Sequence, residues 1–152
     1  MSLKDRILED LKAALKSKQK EKLSTLRLLS AAIRNKEIEL RRTEEGLGDD
    51  EVIGVVSAEI KKRREAIEHY EKAGRRELAE RERAEIEVLA QYMPEPMSEE
   101  EIRQRVLGII GEIGAAGVKD TGKVMKLIMP VVKGRADGAL VSRIVQEELE
   151  KI

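Results

Sequence analysis

Cysteine, phenylalanine and tryptophan are absent from this 152-residue sequence, and Tyr70 and Tyr92 are its only six-membered aromatic rings. Without cysteine there is no disulfide, no thiolate metal site and no thiol nucleophile, a composition that fits a reducing cytosol. Without aromatics the chain builds no platform on which single-stranded bases stack, so any nucleic-acid binding has to use backbone charge and shape. There is one histidine, His69, between Glu68 and Glu71, and no second ligand stands four residues on. The paired histidines of a helical zinc site are therefore missing, and His69 reads as a structural or surface residue. No stretch approaches the length of a membrane span, and the Met1–Asp5 start has no apolar run of the signal-peptide kind. The expected location is the cytoplasm, with no membrane partner.

Charge is plentiful and balanced. Lys plus Arg and Asp plus Glu each number 30, and charged residues make up 39% of the chain. Such a balance gives no overall steering toward nucleic acid. The apolar 41% falls on helical stripes rather than being scattered, which excludes disorder. Carboxylate pairs such as Glu44–Glu45 and Asp49–Asp50 sit mostly at helix starts, where they complement the helix dipole, and so carry no signal of acid–base catalysis.

The periodicity predicts an all-α fold. A first helix uses Leu3, Ile7, Leu8, Leu11, Ala14 and Leu15, with a break at Ser17–Gln19. A second uses Leu23, Leu26, Leu29, Ile33 and Ile38. A third, capped by Asp49 or Asp50, carries Val52, Ile53, Val56, Ile60, Ile67 and Tyr70 and stops at Gly74. Within it, Lys61–Arg64 reads as salt-bridged surface balanced by Glu59, Glu65 and Glu68. A fourth helix carries Leu78, Ile86 and Leu89. Pro94 and Pro96 bracket Glu95 in a stiff joint, which places an N-terminal four-helix domain at 1–94 and a three-helix C-terminal domain at 95–152.

In the second domain, Ser98 with Glu101 spells a capping box and Met97 with Ile102 a hydrophobic staple. The fifth helix continues on Val106, Ile109, Ile110 and Ile113 to Gly114. A sixth, capped by Asp120 or Thr121, uses Val124, Leu127, Ile128 and Val131, with Pro130 expected to kink or shorten it. The seventh, capped by Asp137, uses Leu140, Val141, Ile144, Val145 and Leu149. Gly117–Lys123 matches the opening of a phosphate-binding P-loop, but Val124 stands where a magnesium-holding Ser or Thr is needed, and no strand precedes it. It reads as a glycine-rich turn, and no cofactor is expected. From Ala115 to Gln146 there are six basic residues, Lys119, Lys123, Lys126, Lys133, Arg135 and Arg143, against two acids, a net excess of four over 32 residues. Such an excess is either an ordinary solvated face or a surface for an RNA backbone.

Asp120–Met125, Met129–Pro130 and Lys133–Gly138, followed by Val141 and Val145, closely resemble the C-terminal signature of the GatB/YqeY family. Leu26–Leu29, Arg64–Ile67, Tyr70–Arg75, Glu82–Glu85 and Tyr92–Pro94 resemble its YqeY branch. The resemblance spans nearly the whole chain. Gln19 departs from it, standing where an acidic residue is expected before the second helix, which bears only on that helix's cap. The C-terminal part is similar to the tail of the GatB component of the amidotransferase that converts misacylated Glu-tRNA(Gln) or Asp-tRNA(Asn). There the tail contacts transfer RNA, and the chemistry sits in domains that are missing from this sequence. The carbon–nitrogen ligase label with glutamine as amido donor belongs to that larger enzyme. The resemblance therefore implies a non-catalytic helical module, with tRNA, an amidotransferase or an aminoacyl-tRNA synthetase as partner and the six basic residues as nucleic-acid contacts. A protein–protein adaptor that reuses the fold is the alternative. An enzyme in its own right lacks a nucleophile paired with a base.

Overall fold

A computed structural model describes residues 1–152 and is all-helical. Its seven helices are α1 (Leu3–Lys16), α2 (Lys20–Glu39), α3 (Asp49–Lys72), α4 (Arg76–Ala90), α5 (Glu99–Ile113), α6 (Thr121–Val132) and α7 (Gly138–Glu150), with one 3-10 turn at Val118–Asp120. The chain divides into two compact units, Met1–Met93 and Pro94–Ile152.

In the first unit the cap residues explain where helices begin and end. Ser2 and Asp5 form a reciprocal box at the start of α1, the Ser2 hydroxyl accepting from the Asp5 amide at 3.1 Å. The chain breaks at Lys18, which takes a left-handed φ of 58°. Gln19 makes no side-chain cap for α2. Neither Asp49 nor Asp50 caps α3. Both lie in its first turn, Gly48 is the N-cap, and the Gly48 amide donates to Glu51 Oε1 at 3.2 Å. Gly74, at φ 74°, ends α3 and turns the chain into α4. The core is aliphatic, with Ile7, Leu26, Leu29, Ile33, Val52, Val56, Ile60 and Leu89 inside. Tyr92 joins it by its ring while its hydroxyl donates to Asp10 at 2.6 Å, and Arg6 lies 5.0 Å over the ring.

Three charged residues, Glu37, Glu59 and Arg63, enter where periodicity expects surface or an apolar side chain. At the end of α2 it is Glu37 that is fully buried, while Ile38 is 55% exposed. The reason lies in the following loop. The amide of buried Leu47 needs an acceptor and finds Glu37 Oε2 at 3.2 Å, and Lys4 meets the same oxygen at 2.6 Å. Arg34 stands 3.6 Å from the other oxygen. Gly46 is confined here twice over: its φ is 74°, and a Cβ would come within 3.1 Å of Glu37 Oε2. In α3 the Lys61–Arg64 run is not uniformly surface. Lys62 bridges to Glu59 at 3.2 Å, but Glu59 and Arg63 are both buried. Its Nε donates to Glu85 at 2.9 Å, and its Nη1 donates to the Glu59 carbonyl at 3.1 Å. Burial and the neighbouring Glu85 hold the nearby Glu82 carboxyl above its ordinary range.

In the second unit Ser98 accepts from the Glu101 amide at 3.1 Å. Only this half of the capping box forms, because the Glu101 carboxylate turns to Arg135 at 3.6 Å. Met97 and Ile102 both enter a core completed by Val106, Val124, Ile128, Val132, Val141, Ile144, Val145 and Leu149. The inward line of α6 is Val124–Ile128–Val132, so Leu127 and Val131, expected in the stripe, stay 46% and 43% exposed. Ile113 is likewise exposed, at the overhanging end of α5 before left-handed Gly114. Pro130 sits inside α6, which ends soon after it at Val132. Arg103 on α5 clamps α7, donating to Glu148 at 2.6 Å and to Glu147 at 3.0 Å. These donors and Lys151 hold the buried Glu148 carboxyl below its ordinary range.

The segment before α5 is tied to the α6–α7 loop: the Met97 amide donates to the Arg135 carbonyl at 2.8 Å, and Arg135 Nε donates to the Glu95 carbonyl at 2.9 Å. A fragment of residues 94–152 is therefore expected to fold alone, with a helical circular-dichroism spectrum at room temperature and a cooperative melt. A fragment beginning at 98 loses buried Met97 and should be about 2 kcal/mol less stable. A random-coil spectrum for the longer fragment defeats this expectation. In the first unit, the Lys4 bond lowers the Glu37 pKa more than burial raises it. Its contribution to stability is thus present above the unfolded carboxylate range and is lost as pH falls through the lowered value. Glu37→Gln should cost about 2 kcal/mol at neutral pH. In denaturant titrations the gap to wild type should close on acidification, and a pH-independent gap would show that charge plays no part.

Candidate nucleic-acid interface

The α6 register decides which basic residues stand together. With Val124, Ile128 and Val132 turned inward, a helix of 3.6 residues per turn puts Lys123, Lys126 and Pro130 on the opposite face. Lys119 lies in the 3-10 turn just before α6, and Lys133 is the extended C-cap just after it, so these two flank the helical face rather than lie on it. Lys119, Lys123, Lys126 and Lys133 are all exposed. Only Lys123 approaches a carboxylate, at 3.9 Å from Asp120, and its side chain remains 78% exposed.

Asp120 does not cap α6 forward. Its carboxylate turns back and accepts from the Ala116 amide at 2.7 Å, while Thr121 donates to the Val118 carbonyl at 2.6 Å. The Ala116 bond is the main cause of the lowered Asp120 pKa, with Lys123 and Lys119 adding to it. No side chain caps the start of α6, so the positive end of its dipole lies beside Lys119 and Lys123. The P-loop-like run is thus a helix, a glycine-rich turn, a 3-10 turn and another helix, with no strand to feed a phosphate cradle.

The two arginines stand apart from these lysines. Arg135, in the loop after α6, is held by the Glu95 carbonyl and Glu101. Arg143, on α7, is paired with Glu99 and lies 3.8 Å from Glu147. Local charge excess groups all six residues, whereas the fold leaves the four lysines exposed with no carboxylate nearer than 3.9 Å. An acid four residues after Arg143, Glu147, is the signal in the sequence that this arginine is already partnered. His69 is exposed in the last turn of α3.

The arrangement defines a class: a two-unit helical protein with Lys123 and Lys126 exposed on the outer face of a short helix and Lys119 and Lys133 exposed just beyond its two ends. The family described as Yqey-like protein matches residues 4–149, and the chain belongs to it. It is 33% identical over 146 residues to altered inheritance of mitochondria protein 41, mitochondrial, of Pyrenophora tritici-repentis, a match covering 93% of this chain and 78% of that protein. An uncharacterized protein of Schizosaccharomyces pombe is 38% identical over 85 residues, 56% of this chain and 67% of its own. The Lachancea thermotolerans protein of the same mitochondrial name is 34% identical over 107 residues, and the chain covers 56% of its length. No helix is long and apolar enough to cross a membrane.

Asp137 occupies the N-cap of α7, as its place in the sequence suggests, but makes no side-chain cap bond. What remains is the attraction of its charge to the helix dipole, so Asp137→Ala and Asp137→Asn should cost a similar amount, about 0.5 kcal/mol. Chemical denaturation of the two variants checks this, and a full capping loss of about 1 kcal/mol for Ala with none for Asn would contradict it.

Proposed function

We propose that this chain is a non-catalytic RNA-binding module, its C-terminal unit meeting the phosphates of transfer RNA through the lysines on and flanking α6. The observation that carries the reading is the cluster itself: Lys123 and Lys126 exposed on the side of α6 that points away from the core, Lys119 and Lys133 exposed at its two ends, and the one nearby acid, Asp120, bonded mainly to the Ala116 amide in its own loop. A solvated helix in a protein with equal numbers of acids and bases ordinarily mixes both signs. Transfer RNA is favoured over other RNA by the likeness of this unit to the tail of the tRNA-dependent amidotransferase. That likeness also makes amidotransferase or aminoacyl-tRNA synthetase assemblies the fitting protein partners. Arg135 and Arg143 serve structure rather than RNA in this reading.

A protein–protein adaptor is the second reading. Leu127 and Val131, exposed one turn apart beside the lysines, favour it.

The two are separated by titrating the full-length chain with total tRNA at several salt concentrations. Wild type is compared with the Lys119→Gln/Lys123→Gln/Lys126→Gln/Lys133→Gln variant, whose exposed positions leave the melting temperature nearly unchanged. Wild type should bind weakly and with steep salt dependence, and the variant should flatten the log K against log salt slope by about 3. Absence of binding at low salt, or equal binding by the folded variant, refutes the RNA reading and leaves the adaptor.

A further inference from the structure

We infer that the lysines on and flanking α6 select paired RNA, the stem of a folded molecule, over an unpaired strand; the inference rests on the RNA reading above and adds its ligand class. The second unit contains no aromatic residue, since both tyrosines fall within Met1–Met93. Single strands gain sequence-tolerant affinity by stacking bases on rings, and this unit has no ring to offer. A guanidinium plane is the usual substitute, but Arg103, Arg135 and Arg143 are held by carboxylates, and Arg105 lies on α5 rather than on the lysine-bearing helix.

The floor of the face is as informative as its charges. Between the lysines stand Gly122, without a side chain, and Pro130, without an N–H. No Asn, Gln, Ser or Arg on α6 reaches for a base edge. Lysine is a point charge without the planar fork that reads a particular base. A surface of this kind registers where phosphates are and nothing about which bases carry them.

Geometry then favours a stiff ligand. Lys123 and Lys126 are fixed by α6 about 5 Å apart along its axis, with Lys119 and Lys133 just beyond the two ends of the helix. A duplex presents phosphates already ordered, and with both strands counted its axial charge density is about twice that of one strand. An unpaired strand has to be ordered against these lysines, and nothing here stacks its bases in return. A-form RNA is recognised by backbone and shape, the two properties a smooth ammonium-studded face can sense.

The test uses the full-length chain and two fluorescent RNAs of equal length and charge, one a stable hairpin stem of about 16 base pairs, the span a shape-reading module covers, the other unable to pair. The hairpin should bind about tenfold more tightly at low salt, with a log–log salt slope of about −3. Lys126→Gln should weaken the hairpin complex several-fold without moving the melting temperature. Equal or tighter binding of the unpaired strand overturns the inference while leaving RNA binding intact. Failure to bind either RNA overturns both.

Discussion

With only two six-membered aromatic rings available, each helix of this chain has to be held by aliphatic side chains, and this limits how much each unit can bury. Leu, Ile and Val pack well but cover less surface apiece than Phe or Trp. Each unit is also small, so its core alone leaves a narrow margin. Charged contacts finish the work at the edges: Lys4 with Glu37, Arg63 with Glu85, Arg103 with Glu148. In each pair at least one partner is buried, so the pair joins separate elements rather than decorating a surface. Removing one partner strands the other without its bonds, and these pairs therefore fix which helix meets which.

That division of labour explains what could be read from the residues alone. Ser98, Gly74, Gly114 and the break at Ser17–Gln19 act locally, and a residue whose effect is local announces itself by type and position. Gly48 hid because a capping glycine has no side chain to signal with, and Asp49 and Asp50 beside it have the commoner capping chemistry. Glu37 hid for a different reason. Its inward turn is dictated by the amide of Leu47, ten residues away, and by Lys4 on another helix. Helical spacing also leaves adjacent positions nearly equivalent at the edge of an apolar stripe. In α6 it cannot choose between Leu127–Val131 and Ile128–Val132, and the choice is made by packing against α5 and α7.

The basic segment shows the same limit. Composition sees six positive charges, while the fold ties two of them to carboxylates across the unit and leaves four exposed. Arg135 and Arg143, able to make several directed bonds, are used inside the unit. The lysines, single mobile charges on long stems, remain outside it. The separation follows from chemistry as much as from position, since a fork of donors is suited to holding a loop and an ammonium to meeting an ion in water.

Pro130 has one more effect. It carries no N–H, so the carbonyl of Lys126 lacks a donor in its own helix. Among ammonium groups it is a lone-pair site, repelling a phosphate oxygen and accepting a hydroxyl. In the RNA reading, a single missing hydrogen would thus give this surface a point that tells a sugar hydroxyl from the phosphates on either side of it.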